Sequence, residues 1–247
     1  MKLLSFLTVS FLTLPALASE ITSPFYLPEA RHVLSQTQAA FSKSKKTPAM
    51  RTYHRFLEED ITLGLGSGLS AMFSGDLNWT REKQQTSFSA PHKTGYKAGM
   101  KGQWELGGVL TQLSTLYHQT NNVDFSPRRT IETHLRLGKN LKTLTPYLHL
   151  AGNFPLNARP EFNNPVYRGE TGVFQNINDK MTLDTALYLQ YDKNVKGKSY
   201  GIQCEWSYLP VSWVAIGLNG SWQARGHAKA HAKTYHQSIG IKTTFSF

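Results

Sequence analysis

Tyr235-His236-Gln237-Ser238-Ile239-Gly240-Ile241-Lys242-Thr243-Thr244-Phe245-Ser246-Phe247 closes the chain. Every second residue from Tyr235 gives Tyr235, Gln237, Ile239, Ile241, Thr243, Phe245 and Phe247, a set that is mostly apolar and aromatic. The other set, His236, Ser238, Gly240, Lys242, Thr244 and Ser246, is small or polar. Successive side chains of a strand point to opposite faces, so this stretch reads as a strand with one apolar and one polar side.

The same alternation recurs upstream. Segments near 32–42, 52–65, 69–80, 94–104, 108–118, 129–138, 144–153, 165–175, 180–191, 198–207 and 212–223 join 234–247 to make twelve. Each is close to the length of a tilted strand that crosses a bilayer. The links alternate in kind. Gly66-Ser67-Gly68, Leu106-Gly107, Lys139 to Thr143, Asn176 to Asp179 and Leu209-Pro210-Val211 are short, whereas Arg81 to Lys93, Gln119 to Arg128, Asn153 to Pro165 and Ala224 to Lys233 are longer and more polar. Tight turns on one side and loops on the other build an up-and-down membrane barrel. The expected fold is therefore all-β, a transmembrane antiparallel barrel of twelve strands, or ten if the first pair is drawn differently. An even count puts both termini on the periplasmic side.

Aromatic placement fits this orientation. Trp79, Tyr117, Tyr191 and Trp222 end outbound strands, and Tyr53, Tyr96 and Tyr235 begin the returning ones. Trp104, Trp206, Phe245 and Phe247 fall at the opposite rim. Two such girdles match the interfacial preference of amphipathic rings. Trp213 has the wrong parity and requires a bulge or a turn contact.

At the other end, Lys2 precedes the apolar run Leu3 to Leu14, and Pro15 leads into Ala16-Leu17-Ala18. A short apolar run before a small-x-small site is a secretory signal, too short for a membrane helix. The domain plan is a signal peptide over 1–18, a periplasmic leader over 19–31 and the barrel over 32–247. Cys204 is the single cysteine, so no intrachain disulfide forms.

The terminal Phe247 on a two-faced strand resembles the assembly signal of Gram-negative outer-membrane barrels. That resemblance implies delivery to the cell outer membrane by the barrel-assembly machinery, with Tyr235, Ile239, Ile241, Phe245 and Phe247 as the recognised residues. Ser23-Pro24-Phe25-Tyr26-Leu27-Pro28-Glu29, with the strand-turn-strand from Leu57 to Trp79, resembles the start of uncharacterised proteobacterial barrels grouped with outer-membrane transporters. It implies transport without naming a solute.

The formal net charge is +11. An exported barrel meets no nucleic acid, so the placement of the charge matters more than its total. Basic residues concentrate in the outward links, among them Lys43, Lys45, Lys46 and Arg51 in the first and Arg225, Lys229 and Lys233 in the last. They are expected to face the phosphates of lipopolysaccharide. Inward positions mix signs: Glu58, Asp60, Asp76, Glu132, Glu170, Asp184 and Glu205 against Lys97, Lys101, Arg136, Arg168 and Lys242. Arg55 and Glu59 have outward parity.

A mixed interior either lines a narrow polar channel or fills a closed lumen. The first expectation is a passive, porin-like channel for small solutes. The second is a structural or adhesive barrel whose basic loops bind lipopolysaccharide, and the third is a lipid hydrolase. For the third, His134, His149 and Asn153 share inward parity, but no serine is evidently placed beside them. His227, His231 and His236 lie among Gly, Ala and Lys, a weak setting for a metal. Gly64-Leu65-Gly66-Ser67-Gly68 is a turn and not a nucleotide loop. No catalytic residue, metal or cofactor is assigned.

Overall fold

The computed structural model describes residues 20–45, 51–82, 93–122, 125–157, 164–194, 197–227 and 230–247. The expected signal peptide lies outside them. After a short 3-10 turn at Glu20–Thr22, twelve strands follow in order: β1 Val33–Lys45, β2 Arg51–Gly66, β3 Leu69–Glu82, β4 Lys93–Leu106, β5 Val109–Asn122, β6 Phe125–Gly138, β7 Leu144–Pro155, β8 Val166–Asn178, β9 Met181–Asp192, β10 Gly197–Val211, β11 Val214–His227 and β12 Ala230–Ser246. Each pairs antiparallel with its sequence neighbours, and β12 returns to β1 to close the barrel. Twelve is thus the strand number, and the first pair stands where the alternation placed it.

Closure leaves no strand edge, which is what lets a sheet sit in hydrocarbon. The seam is finished by Val33 N–H donating to the Phe247 carbonyl at 2.7 Å and Phe247 N–H returning to Val33 at 3.0 Å. Phe247 therefore completes the cylinder as well as ending the chain. Its ring stacks near Phe245, centroids 6.5 Å apart.

Short links gather at the end that also holds the start of β1 and the end of β12. Gly107 and Gly108, both at positive φ (58° and 77°), form the two-residue link between β4 and β5, the conformation that a twisted hairpin favours. Trp213 sits in the β10–β11 turn beside a register shift, and its carbonyl accepts from Ser246 N–H at 3.0 Å. That turn contact accounts for its parity. At the other end the strands run further than the alternation indicated: β11 extends to His227 and β5 to Asn122. Polar residues sustain these extensions because they rise beyond the apolar band.

The outward face is apolar: Ile239 is 64 % exposed, Leu187 59 % and Phe73 53 %. A continuous apolar wall of this kind is stable only against lipid. Ring pairs mark the outer rim, including Tyr96–Tyr117 at 6.3 Å and Trp222–Tyr235 at 6.2 Å. Apart from Ala224, which shares the outward face with Tyr200 and Tyr235, the buried residues lie on the inside, where polar chains outnumber apolar ones.

Candidate functional site

The lumen has two levels of different chemistry. Strand register fixes the upper one: Asp76, Lys97, Lys101, Glu132, Arg136, Arg168, Glu170, Asp184, Glu205 and Lys242 all fall on the inward face, as alternation required. Glu132 is the centre of one cluster. His118 Nδ1 lies 2.7 Å from its Oε1, Asn153 Nδ2 donates to the same oxygen at 3.0 Å, and Lys97 Nζ stands 4.0 Å from Oε2. Lys97 also reaches Glu58 at 3.3 Å. Asp76 accepts from Asn78 at 2.7 Å.

A second cluster forms around Glu170, which is 5 % exposed. Arg168 Nη2 donates to its Oε2 and to Gln203 Oε1, both at 2.8 Å, and the guanidinium stacks 4.1 Å over the Tyr188 ring. Asp184 accepts from the Tyr147 hydroxyl at 2.9 Å, while Glu205 holds Lys242 at 2.9 Å. Lys101 forms no ion pair among the described residues, although Arg136 and Asp60 are its electrostatic neighbours.

The reach of these pairs matters more than their number. Lys97 on β4 meets β2 and β6, Lys242 on β12 meets β10, and Tyr147 on β7 meets β9. Among the described residues each of these polar contacts joins strands at most two apart, so they upholster the wall and do not strut the lumen. Open space remains between them. A cavity of about 310 Å3 is bounded by Glu58, Asp60, Lys97, Lys101, Glu132 and Arg136, and another of about 250 Å3 adjoins Asp184, Glu205, Asn219 and Ser221.

The lower level holds the N-terminal segment. The residues expected to form a periplasmic leader enter the barrel and cross it. Ile21 (3 % exposed) packs on Leu34, Leu209 and Ala215, from β1, β10 and β11. Phe25 (3 % exposed) packs on Tyr147, Phe174 and Ala186, from β7, β8 and β9. Each such burial contributes about 1.5–3 kcal/mol. Thr22 and Thr182 hydroxyls lie 3.0 Å apart, Tyr26 reaches Ser246 at 3.1 Å, and Gln112 donates to the Phe25 carbonyl at 3.4 Å. Arg136 donates to the Pro24 carbonyl and lies 5.9 Å from the Phe25 ring centroid.

Two glycines make the room. A Cβ at Gly138 would collide with the Phe25 ring, and one at Gly64 with the Glu29 carbonyl. Gly64 thus serves close approach of the leader, beyond its part in the β2–β3 turn. Arg136, expected as a lumen charge alone, is the hinge between levels. It touches the cavity above and the plug below.

Other expected sites fall differently. Lys43, Lys45 and Arg51 point outward from β1 and β2. Arg225 does not: it turns into the mouth and pairs with Asp192 at 2.9 Å, because β11 remains a strand there and its parity is inward. Lys46, Lys229 and the side chain of Lys233 lie outside the described residues. Tyr235, Ile239, Ile241, Phe245 and Phe247 share the outward face of β12. His134 and His149 stack at 5.4 Å, with Nδ1 and Nε2 3.2 Å apart. Ser114, which the spacing did not bring forward, lies across from His134 in register; no hydrogen bond joins the two among the described residues. His118 was also missed, since nothing in its spacing announces Glu132.

No family model matches the chain, and no curated protein matches it. Solved structures do. An outer-membrane channel from Pseudomonas putida F1 superposes with a TM-score of 0.65 at 8% identity, over 90% of this chain and 97% of that one. The NanC porin gives 0.59 at 11% identity, covering 85% and 98%. The transport unit of an autotransporter from Escherichia coli gives 0.52 at 10%, covering 93% and 97%. At such identities the likeness is one of fold: that of outer-membrane barrels.

Proposed function

We propose that the protein is a narrow passive channel of the outer membrane, for small polar solutes, whose periplasmic exit is occupied by its own N-terminal segment. The observation that carries this reading is the reach of the lumen's polar contacts: they run along the wall and leave cavities of both charge signs above the plug. A barrel closed for strength alone has more to gain from pairs spanning the lumen. Twelve strands also suit a narrow pore and not a wide aqueous one. The fold shared with an outer-membrane channel and with the NanC porin is in keeping with it.

In this reading Lys97, Lys101 and Arg136 line one polar chamber together with Glu58, Asp60 and Glu132, so a solute that replaces its hydration with donors and acceptors passes more readily than an apolar one. Passage to the periplasm requires residues 20–29 to shift. The protein refolded into planar bilayers should give discrete current steps. Silence in several lipids and at both polarities, from protein shown to be folded by heat-modifiable migration, refutes the channel and favours a filled structural barrel.

A further inference from the structure

A separate feature lies on the outside of the barrel, where β12, β1, β2 and β3 meet the outer rim. Register sets outward residues there in rows. Lys45 faces Arg51 and Tyr235; Lys43 faces Tyr53 and Gln237, with Arg81 beyond Tyr53; Phe41 faces Arg55 and Ile239, with Trp79 beyond Arg55. Five cations thus share one face: Lys43, Lys45, Arg51, Arg55 and Arg81. The aromatic residues among them are ordered. Arg81 stacks 5.1 Å over the Tyr53 ring, and Tyr53 stacks on Phe41 at 5.9 Å.

Directly below these rows the wall is hollowed. Ala39 is small where its neighbours are Leu57, Ile239 and Ile241, and a groove of about 540 Å3 results, with Arg55 and Trp79 also on its boundary. The next outward carboxylate on β2 is Glu59, already hydrogen-bonded by Ser35 at 2.6 Å and by Thr37. The arrangement is amphipathic from top to bottom: cations, then rings, then an apolar slot that opens sideways.

We propose that this face is a binding site for one lipopolysaccharide molecule of the outer leaflet. The phosphorylated sugar headgroup rests on the cations and an acyl chain fills the groove beneath Arg55. The position in the wall dictates a lipid occupant, and the charge dictates an anionic one. The spread of the cations chooses among anionic lipids. Arg51 and Arg55, four residues apart on one strand, are separated by about 13 Å, which suits a headgroup with two separated phosphates and exceeds a single phosphodiester. Arginine and lysine gain charge-assisted hydrogen bonds to phosphate at an interface, and Tyr53 and Trp79 favour the same depth. The site is independent of whether the lumen conducts.

Native mass spectrometry of the detergent-solubilised barrel, titrated with purified lipid A, tests this. One lipid A should bind per barrel, about tenfold more tightly than lipid A stripped of its phosphates or than phosphatidylglycerol. The double substitution Lys43→Gln with Arg55→Gln should weaken lipid A about tenfold. Ala39→Phe, which fills the groove and leaves every cation in place, should weaken it as well. Equal binding of phosphatidylglycerol, or lipid A binding untouched by both variants in barrels that keep heat-modifiable migration, overturns the proposal. If the double variant does not refold, Ala39→Phe decides the matter alone.

Discussion

The two levels of the lumen share strands and alternation yet solve different problems. In the upper level, Lys97, Glu132, Arg168 and Glu170 are held by near neighbours on the wall, and space is left between them. In the lower level, Ile21 packs on β1, β10 and β11 and Phe25 on β7, β8 and β9, so the segment occupies the lumen along adjoining sectors of the wall. In the channel proposed above, the wall would stay rigid while the segment shifts, because residues 20–29 lie outside the hydrogen-bonded ladder. Rigid lining and removable closure are what a gated passive pore needs.

Removing the plug should break the comparison most visibly. A chain lacking residues 20–29 keeps all twelve strands and should show unitary conductance several-fold above that of the full chain in planar bilayers. Unchanged conductance means the segment does not obstruct. A gentler route is Phe25→Ala, which loses about 3–5 kcal/mol of packing at the seat. It should lengthen open times without changing the migration of the folded band. Gly138→Leu acts from the wall side and should do the same, since a side chain there takes the space of the Phe25 ring.

The upper level was legible in the sequence and the lower one was not. Period-2 alternation is local, so it placed Lys97, Glu170 and Lys242 inward and Ile239 outward without knowledge of any partner. Residues 19–31 carry no period, and the groups that bury Ile21, such as Leu209, lie far along the chain. Their association follows from closure of the barrel, which no window of sequence contains. Arg225 was misplaced for a related reason: its loop-like composition hid a strand whose parity turns it toward Asp192. His118 was overlooked because its role is defined by Glu132 on the next strand.

Smaller effects sharpen the same contrast. Lys101→Glu removes a cation that lacks an ion pair among the described residues and inverts the local field. The reversal potential in a salt gradient should move toward cation preference, more so at low ionic strength, because the Debye length shortens to about 10 Å at 0.1 M. A potential that stays put would take Lys101 out of the conduction path. Glu132→Gln should instead act on the wall. It weakens the contacts of His118 and Lys97 by about 1–3 kcal/mol, seen as a lower urea midpoint for unfolding, with conductance nearly unchanged. A large conductance change there, with no loss of stability, would mean that Glu132 acts on the passing solute and not on the wall.

In the proposed channel the N-terminal segment closes a pore that otherwise conducts. Thr22 and Thr182 offer a reversible lock, since their hydroxyl oxygens, which cysteine sulfurs would replace, are 3.0 Å apart. Cys204, the one natural cysteine, is exposed and on the outward face, away from the plug. In the variant carrying Thr22→Cys and Thr182→Cys, current through single barrels should be low when oxidised and rise on addition of a reductant, while the wild type ignores the reductant. Equal currents in the oxidised and reduced variant, with disulfide formation verified by mass, would contradict the account.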